Sequence, residues 1–463
     1  MKKFIFSMIA AVVSAEALAD ASIERVLVRQ QWPWNEKVAI DFVLTNVTSA
    51  TEIDCAVYRG ATPVSVSAGA FSGDICELAA DGAYRIMFDP SYLPNRPAKG
   101  ETLRFELTPS AMTDDSPNRE VLYKIFDLVD HTVTDVTRGA LLSGQYGSVE
   151  TDYSRIGEGY SSPLSDVLIW TGVTNYPGAK TTKLVMRKIP AGDFEYPKDG
   201  DFSKSPKYTI TVSKPFYIGV FEVTQKQFSY FPTASASYSG TFYYNPGELS
   251  CNLGDDKPIQ NIAVHNVING GTTRIWDASK GALKTLKELF ADAGTYNFDL
   301  PTIAMWYRAM RAGSTTYYYD GVAGTPTDFS YNDRMAALGR FAGTGGVTDN
   351  GDGTTTSNGV VSVGLYRPNA FGLYDMIGNV TECTKDHGQK TPGAHFTASG
   401  IDPIRAMGAD NAVGLYGNGW CHSGKLWTQP LYYANLHASY KFTYIGVRLV
   451  FFEEENPFKP SEE

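Results

Sequence analysis

Hydrophobic and polar positions alternate with a period of two through the first quarter of the chain. The runs are Val38-Ala39-Ile40-Asp41-Phe42-Val43-Leu44, Tyr84-Arg85-Ile86-Met87-Phe88, Thr102-Leu103-Arg104-Phe105-Glu106-Leu107 and Val121-Leu122-Tyr123-Lys124-Ile125-Phe126. Clusters of Pro, Gly, Asn and Asp separate them. Short alternating runs punctuated in this way predict an all-β, antiparallel sandwich of immunoglobulin-like type over residues 20–130. It carries no nucleophile triad, metal spacing or phosphate loop. Residues 131–182 are rich in Gly, Ser, Thr and Tyr, as in Ser143-Gly144-Gln145-Tyr146-Gly147 and in the stretch from Gly157 to Pro163, which is the composition of a linker or edge segment.

A strand at Leu184-Val185-Met186-Arg187-Lys188-Ile189 opens a second region, residues 183–452, in which the apolar period changes twice to that of a helix. From Ser279 to Ala293 one stripe holds Ala282, Leu283, Leu286, Phe290 and Ala293 and stops at Gly294; Thr302 to Ala312 has a Pro-Thr entry and a Gly313 exit. Much of the rest is loop. The stretch from Gly343 to Gly359, full of Gly, Thr, Asn and Asp, calls for a functional loop or one fastened by an ion. No solenoid or propeller period is present.

Composition narrows the function classes. The 463 residues carry 40 Lys and Arg against 50 Asp and Glu, a net charge of −10, so there is no basic field to attract nucleic acid. A mean hydropathy of −0.21 and 43% hydrophobic residues suit folded domains rather than disorder. Lys2 and Lys3, an apolar run from Phe4 to Val13 and Ala17-Leu18-Ala19 have the form of a signal peptide over residues 1–19. The run is shorter than the roughly 20 apolar residues of a spanning helix, and no later segment reaches that length. The expectation is an exported chain, periplasmic, cell-surface or secreted, without a transmembrane anchor. Residues 453–463 form an acidic tail, read as a solvated end. Five cysteines in an exported chain permit two disulfides, with Cys55 and Cys76 the natural pair; Cys251, Cys383 and Cys421 remain.

Several segments of the second region resemble the formylglycine-generating enzyme, or sulfatase-modifying-factor, family. They are Ile189-Pro190-Ala191-Gly192; Phe216-Tyr217-Ile218-Gly219-Val220-Phe221-Glu222-Val223-Thr224; Leu300-Pro301-Thr302 with Trp306 and Arg311-Ala312-Gly313; Asn369-Ala370-Phe371-Gly372-Leu373-Tyr374-Asp375-Met376-Ile377-Gly378-Asn379-Val380; and Gly446-Val447-Arg448-Leu449. The resemblance implies an α+β chain: the sandwich followed by a loop-rich variant of the C-type lectin fold.

It also implies two kinds of metal. Structural calcium would be held by the Asp375 carboxylate, the Gly378 and Val380 carbonyls and the Glu382 carboxylate, the hard oxygen donors that calcium requires. Members that oxidise a cysteine to formylglycine hold copper on two cysteines. Here Gly417-Asn418-Gly419-Trp420-Cys421-His422 keeps one of them, and the second place falls near Leu426 or Trp427, neither of which ligates a soft cation. Copper or iron would then rest on Cys421 with His422 as auxiliary ligand or base, and Trp420 would shape the pocket. The family's Trp-Glu-Trp is Thr381-Glu382-Cys383 here, and its glutamates in the Leu-Pro-Thr helix are Ile303 and Tyr307, the mark of a divergent branch.

Two functions follow. The first is an oxygen-dependent, metal-assisted oxidase acting on a thiol-type substrate through Cys421, His422 and Trp420. The second is a non-catalytic module that binds a protein, peptide or glycan ligand through the loops of the lectin-like fold, with the ligand face at about Asn418 to Tyr444. Asn332, Asp349 and Asp352 are candidates for a second ion. The aromatic run from Thr316 to Asp320 is read either as a sugar-binding face or as a half-buried strand. His265, His387, His395 and His437 have no ligand spacing, and Asp386-His387 lacks a serine nucleophile elbow.

Overall fold

The computed structural model describes residues 12–13, 21–31, 35–66, 68–95, 101–150, 168–197, 207–231, 252–262, 264, 267, 281–316, 318–321, 333–388, 396, 398–404, 412–422, 434–437 and 442–453. Apart from Val12 and Val13 the expected leader lies outside them, as do Cys251, His265, Tyr317, Asn332, His395, Leu426, Trp427 and the tail after Glu453. The chain divides into two compact units. The first comprises Met1–Leu122, Val136–Ser154 and Ser165–Val173; the second comprises Tyr123–Asp135, Arg155–Leu164 and Thr174–Glu463.

In the first unit the alternating runs form strands, β1 (Ser22–Gln30), β2 (Val38–Thr45), β3 (Thr51–Arg59), β4 (Thr62–Val64), β5 (Phe71–Gly73), β6 (Gly82–Phe88) and β7 (Leu103–Ala111). One sheet runs β1-β2-β6-β5. The other runs β7-β3-β4, with Val12–Val13 parallel to β7. Ile40, Phe42, Leu44, Ile86 and Phe88 of the first sheet are buried, as are Val57, Phe105 and Leu107 of the second. The rings of Phe88 and Phe105 meet edge to face at 5.1 Å, so the two sheets share one apolar layer.

The disulfide expected between Cys55 and Cys76 is not formed, and both are free thiols. Cys55 Sγ turns to the Ile53 carbonyl at 3.7 Å, whereas Cys76 Sγ packs where a side chain on Gly139 would stand. Burial raises both thiols, Cys76 to about 11, which suits inert packing. The segment expected as a linker supplies part of this unit. Helix α1 (Arg138–Leu142) starts at Thr137, whose Oγ1 accepts from Ala140 N, and buries Leu141 and Leu142; Trp170, fully buried, donates its Nε1–H to the Tyr146 carbonyl at 2.8 Å.

The second unit is mostly β. Its main sheet contains β8 (Val121–Asp127), β9 (Val133–Thr137), β10 (Lys183–Ile189), β13 (Phe216–Gly219), β14 (Asn297–Asp299) and β22 (Val450–Phe452), in the order β9-β8-β10-β13-β22-β14. The expected boundary at about residue 130 therefore falls between β8 and β9. A hairpin of β11 (Gly192–Pro197) and β12 (Lys207–Val212) adds β18 (Gly400–Ile401) in parallel. A further sheet of β17 (Thr381–His387), β19 (Ala412–Tyr416), β20 (Ala434–His437) and β21 (Ile445–Gly446) runs β20-β19-β17-β21, and β15 (Val347–Asp349) pairs with β16 (Thr355–Ser357). The unit's described α-helices include the short α2 (Gln225–Phe228), α3 (Gly281–Leu289), α4 (Ile303–Arg311) and α5 (Asp333–Leu338).

The two helices read from the periodicity are both present. Helix α3 (Gly281–Leu289) buries Ala282, Leu283 and Leu286, and Phe290 just beyond it joins Phe126, Phe298 and Phe451 in one aromatic cluster, with Phe126 about 5 Å from each of the others. Ala293 is exposed, because the helix ends before it. Helix α4 (Ile303–Arg311) is buried on every side. Thr302 Oγ1 accepts from Met305 N and Asp386 Oδ2 accepts from Ile303 N, so two groups satisfy its first turn. Its Arg308 donates to the Pro190, Ala191 and Asp193 carbonyls, and any Cβ at Gly192 would stand 2.7 Å from that guanidinium, which accounts for the Pro-Ala-Gly at this turn.

Candidate functional site

The long motif folds into the centre of the second unit. Asn369 caps the C-terminal end of α4: its Nδ2 donates to the Ala309 and Met310 carbonyls while its Oδ1 accepts from Phe371 N and Leu373 N. The chain then turns through Asp375, Gly378 and Asn379, all with positive φ, and enters β17. Asp and Asn tolerate the left-handed region better than other residues with a side chain, which is why the turn is written Asp-x-x-Gly-Asn.

Glu382, on β17, is fully buried and its carboxylate is saturated. Arg448 Nε reaches Oε1 at 2.9 Å and Oε2 at 3.1 Å, Arg448 Nη2 reaches Oε1 at 2.6 Å, and Trp306 Nε1 reaches Oε2 at 2.7 Å. The remaining N–H groups of Arg448 bond the Gly219, Val220 and Tyr374 carbonyls. No donor of the guanidinium is left over. The carboxylates of Glu382, Glu222 and Asp375 around it hold Arg448 above its usual range despite its burial.

Asp375 and Glu222 are in a different state. Both are buried, and both are raised above the ordinary carboxylate range chiefly by desolvation, Asp375 to about 6. Asp375 Oδ2 accepts from Gly364 N at 2.6 Å, whereas Oδ1 has no hydrogen-bond partner. Glu222 grips the turn, with Oε2 accepting from Asn379 Nδ2 at 2.7 Å and Oε1 from Val380 N at 3.1 Å.

That turn positions the segment with the candidate catalytic residues. Gly378 N donates to the Gly417 carbonyl, Trp420 N to the Asn379 carbonyl and Thr381 N to the Tyr444 carbonyl. Trp420 is buried, with its Nε1–H on the Thr443 carbonyl at 3.0 Å, so it packs a wall rather than lining open space. A Cβ on Gly419 would lie 2.8 Å from Tyr444 Cβ, which reserves that position for glycine. Cys421, like Val347 and Tyr444, packs against the buried cluster of Val360, Val380 and Trp420, and burial pushes its thiol up to about 11. His422 Nδ1 accepts from Gly419 N at 2.7 Å, and burial brings the imidazole down to about 4. A neutral imidazole whose Nδ1 accepts carries its proton on Nε2. His422 therefore has no lone pair left for a metal or for a general base. Beside it, the partly exposed rings of Phe442 and Tyr444 stack at 5.2 Å, and His422 meets Tyr444 at 4.7 Å.

These observations test the expected metals. For copper or iron, Cys421 is the one soft donor that the described residues offer here, because His422 Nδ1 already accepts the Gly419 N–H. For calcium, Asp375 fits, having an orphaned buried oxygen, and Glu382 does not, having none to give. Among the described residues no three Asp, Glu, His or Cys side chains converge as a metal cluster. Asp349 and Asp352 lie on the exposed β15–β16 hairpin, each accepting from its own turn. Tyr318 and Tyr319 are buried, which removes them as a sugar-binding face, and neither lies on a strand, so the half-buried strand is not found there either. Asp386 caps α4, and Cys383 lies in the main apolar core as a free thiol. In the sequence, Glu222, Asn379 and Arg448 stand out only as marks of the family resemblance. Their signal as a polar network was present, since each is a polar residue embedded in an apolar run.

Residues 175–451 match the sulfatase-modifying factor enzyme 1-like domain. Among solved structures, PvdO from Pseudomonas aeruginosa is 21% identical over 58% of this chain and 94% of its own, with a TM-score of 0.42. Treponema denticola variable protein 1 is 19% identical, over 58% and 95%, with a TM-score of 0.38; CarF is 18% identical, over 58% and 97%, with a TM-score of 0.34. No curated protein matches the chain.

Proposed function

We propose that this chain, which belongs to the sulfatase-modifying factor enzyme 1-like family, is an exported binding module and not an oxidase. One observation carries the reading: the Gly419 N–H fixes His422 Nδ1 as an acceptor, at the place where an oxidase needs an available ligand or base. The thiol of Cys421, pushed up to about 11 within an apolar cluster, supports it, because thiolate rather than thiol binds soft metals and attacks oxidants.

In this reading the working surface is the ledge of His422, Phe442 and Tyr444. Partly exposed rings braced against one another offer a flat apolar face, and the Trp420 indole anchors the turn that bears Phe442 and Tyr444. Such a face takes the apolar side of a glycan or of a peptide side chain by stacking. The N-terminal unit is proposed as an immunoglobulin-like spacer that presents this ledge outside the cell. Among the described residues no helix is long and apolar enough to cross a membrane.

The test is elemental analysis of the chain purified without chelator, alongside Cys421→Ala, together with oxygen uptake in the presence of a cysteine peptide. The expected result is no stoichiometric copper or iron, no uptake and no difference between the proteins. Copper or iron at one per chain that disappears in Cys421→Ala would overturn the reading in favour of the oxidase.

A further inference from the structure

We propose that the open edge of β11 takes up an extended segment of another protein chain, added as a strand beside it, with a basic side chain of that segment set against Asp193 and Glu195. In β12, Thr209 turns its N–H to Ser399 Oγ at 3.0 Å and the Thr211 carbonyl accepts from Asp402 N at 2.8 Å, both on the side of β18. The N–H and carbonyl of one strand residue point to the same side, and those of its neighbours to the other. Asp193 and Glu195, which lie opposite Thr211 and Thr209 in the hairpin, therefore turn their main-chain groups away from β12. Among the described residues β11 ends its sheet, so that side is open. The Asp193 carbonyl is taken by Arg308 Nη1 at 3.4 Å, whereas the Asp193 N–H and the Glu195 N–H and carbonyl meet no partner among the described residues. The next outward position is Pro197, which has no N–H, so the ladder on offer is short and centred on Glu195. Unpaired groups in this order are what an added strand satisfies.

The space for that strand is present. A cleft of about 380 Å³ is lined by Asp193, Glu195 and Lys207 of the hairpin and by Gly313, Ser314 and Thr315 of the loop that leaves α4. The loop is a fixed wall, because Ser314 is buried with its Oγ on Thr316 Oγ1 at 2.8 Å, and Arg311 donates to the Ser314 and Thr316 carbonyls. The chemistry of the occupant follows from the charges shown to it. Asp193 and Glu195 are two residues apart and exposed, so both carboxylates stand on one face of the strand. Lys207 Nζ lies 3.7 Å from Glu195, whereas Asp193 accepts from the neutral Thr211 Oγ1 at 2.7 Å and makes no ion pair among the described residues. Opposite charges on facing strands attract and like charges repel. The added strand therefore carries Lys or Arg here and not Asp or Glu. A second copy of β11 is disfavoured for the same reason, since it would set Asp193 and Glu195 of one chain against those of the other.

The experiment titrates the full chain with two fluorescently labelled heptapeptides, one alternating valine with lysine and the other carrying glutamate in place of each lysine. Fluorescence polarisation reads binding, and hydrogen–deuterium exchange with mass spectrometry reads the amides of residues 190–197. We expect saturable binding of the lysine peptide, at least tenfold tighter than that of the glutamate peptide, with exchange over Asp193 to Glu195 slowed in the complex. The double variant Asp193→Asn with Glu195→Gln should lose the preference and bind the two peptides within threefold of each other. Thr315→Trp, which fills the cleft without changing a charge, should weaken the lysine peptide at least tenfold, with circular dichroism checking the fold. Should that variant not fold, N-methylation of alternate residues of the lysine peptide removes the ladder bonds from the other side and should weaken it by the same factor. Absence of saturable binding of the lysine peptide overturns the proposal. So does equal binding of the two peptides by the native chain, or protection that falls on a different segment.

Discussion

Two neighbouring parts of the second unit treat their polar groups in opposite ways. In the knot of Glu382, Arg448 and Trp306 every donor and acceptor is matched, and the residues are completely buried. In the segment from Gly417 to His422 the groups with reactive names, a thiol and an imidazole, are held in their unreactive forms by apolar packing and one main-chain N–H. The difference teaches that the family's strongest signature here specifies how the domain is tied together. At Cys421 and His422 the contacts described are apolar packing and one main-chain hydrogen bond.

The comparison breaks most visibly at Arg448. Arg448→Met leaves Glu382 buried without its cation and should cost about 3–5 kcal/mol, read as a lower denaturant midpoint; an unchanged midpoint would mean that the knot is not the tie it looks like. Trp306→Phe keeps a six-membered aromatic ring but deletes the Nε1–H on Glu382 with the rest of the indole, for an expected loss of about 1–3 kcal/mol in the same assay.

At the other region the predictions concern pH and then near-silence. His422 is lowered from its ordinary value of 6.5 to about 4, so between those values the unfolded chain binds a proton that the folded chain refuses. Its contribution is intact above pH 6.5 and is lost as pH falls toward 4. Proton NMR should place its titration near 4, and a midpoint near 6.5 would remove burial as the control on this imidazole. Cys421→Ala should change stability by less than about 1 kcal/mol and leave the circular dichroism spectrum unaltered, since the thiol acts as a small apolar group.

Much of the architecture was legible in the sequence because it rests on short-range pattern. Alternation placed β2, β6 and β7, and the helical stripe placed α3 and α4 to within a few residues. Burial was less legible. Tyr318 and Tyr319 read as an exposed face or a half-buried strand, yet both are fully covered, and no local pattern reveals the layer that covers them. The linker-like stretch after residue 131 hid Leu141, Leu142 and Trp170, whose wide spacing among Gly and Ser gives no period. At the site, the sequence names Cys421 and His422 but not the Gly419 N–H that decides the state of the histidine. The same holds for Glu382, assigned to a cation by resemblance and found to be spent on an arginine 66 positions further along the chain.

The pairing of β13 with β22, reinforced by Arg448 on the Gly219 carbonyl, joins positions separated by 229 residues. That separation carries a consequence in time. At a synthesis rate of about 5–20 residues per second, roughly 10–45 s pass between the making of β13 and the making of its partner. During this interval the edge of β13 that β22 later covers stands open, and Glu382, once made, waits for its guanidinium. A nascent chain in this condition displays the unpaired strand edge and apolar surface that chaperones recognise, so the last strand sets the schedule on which the whole unit closes.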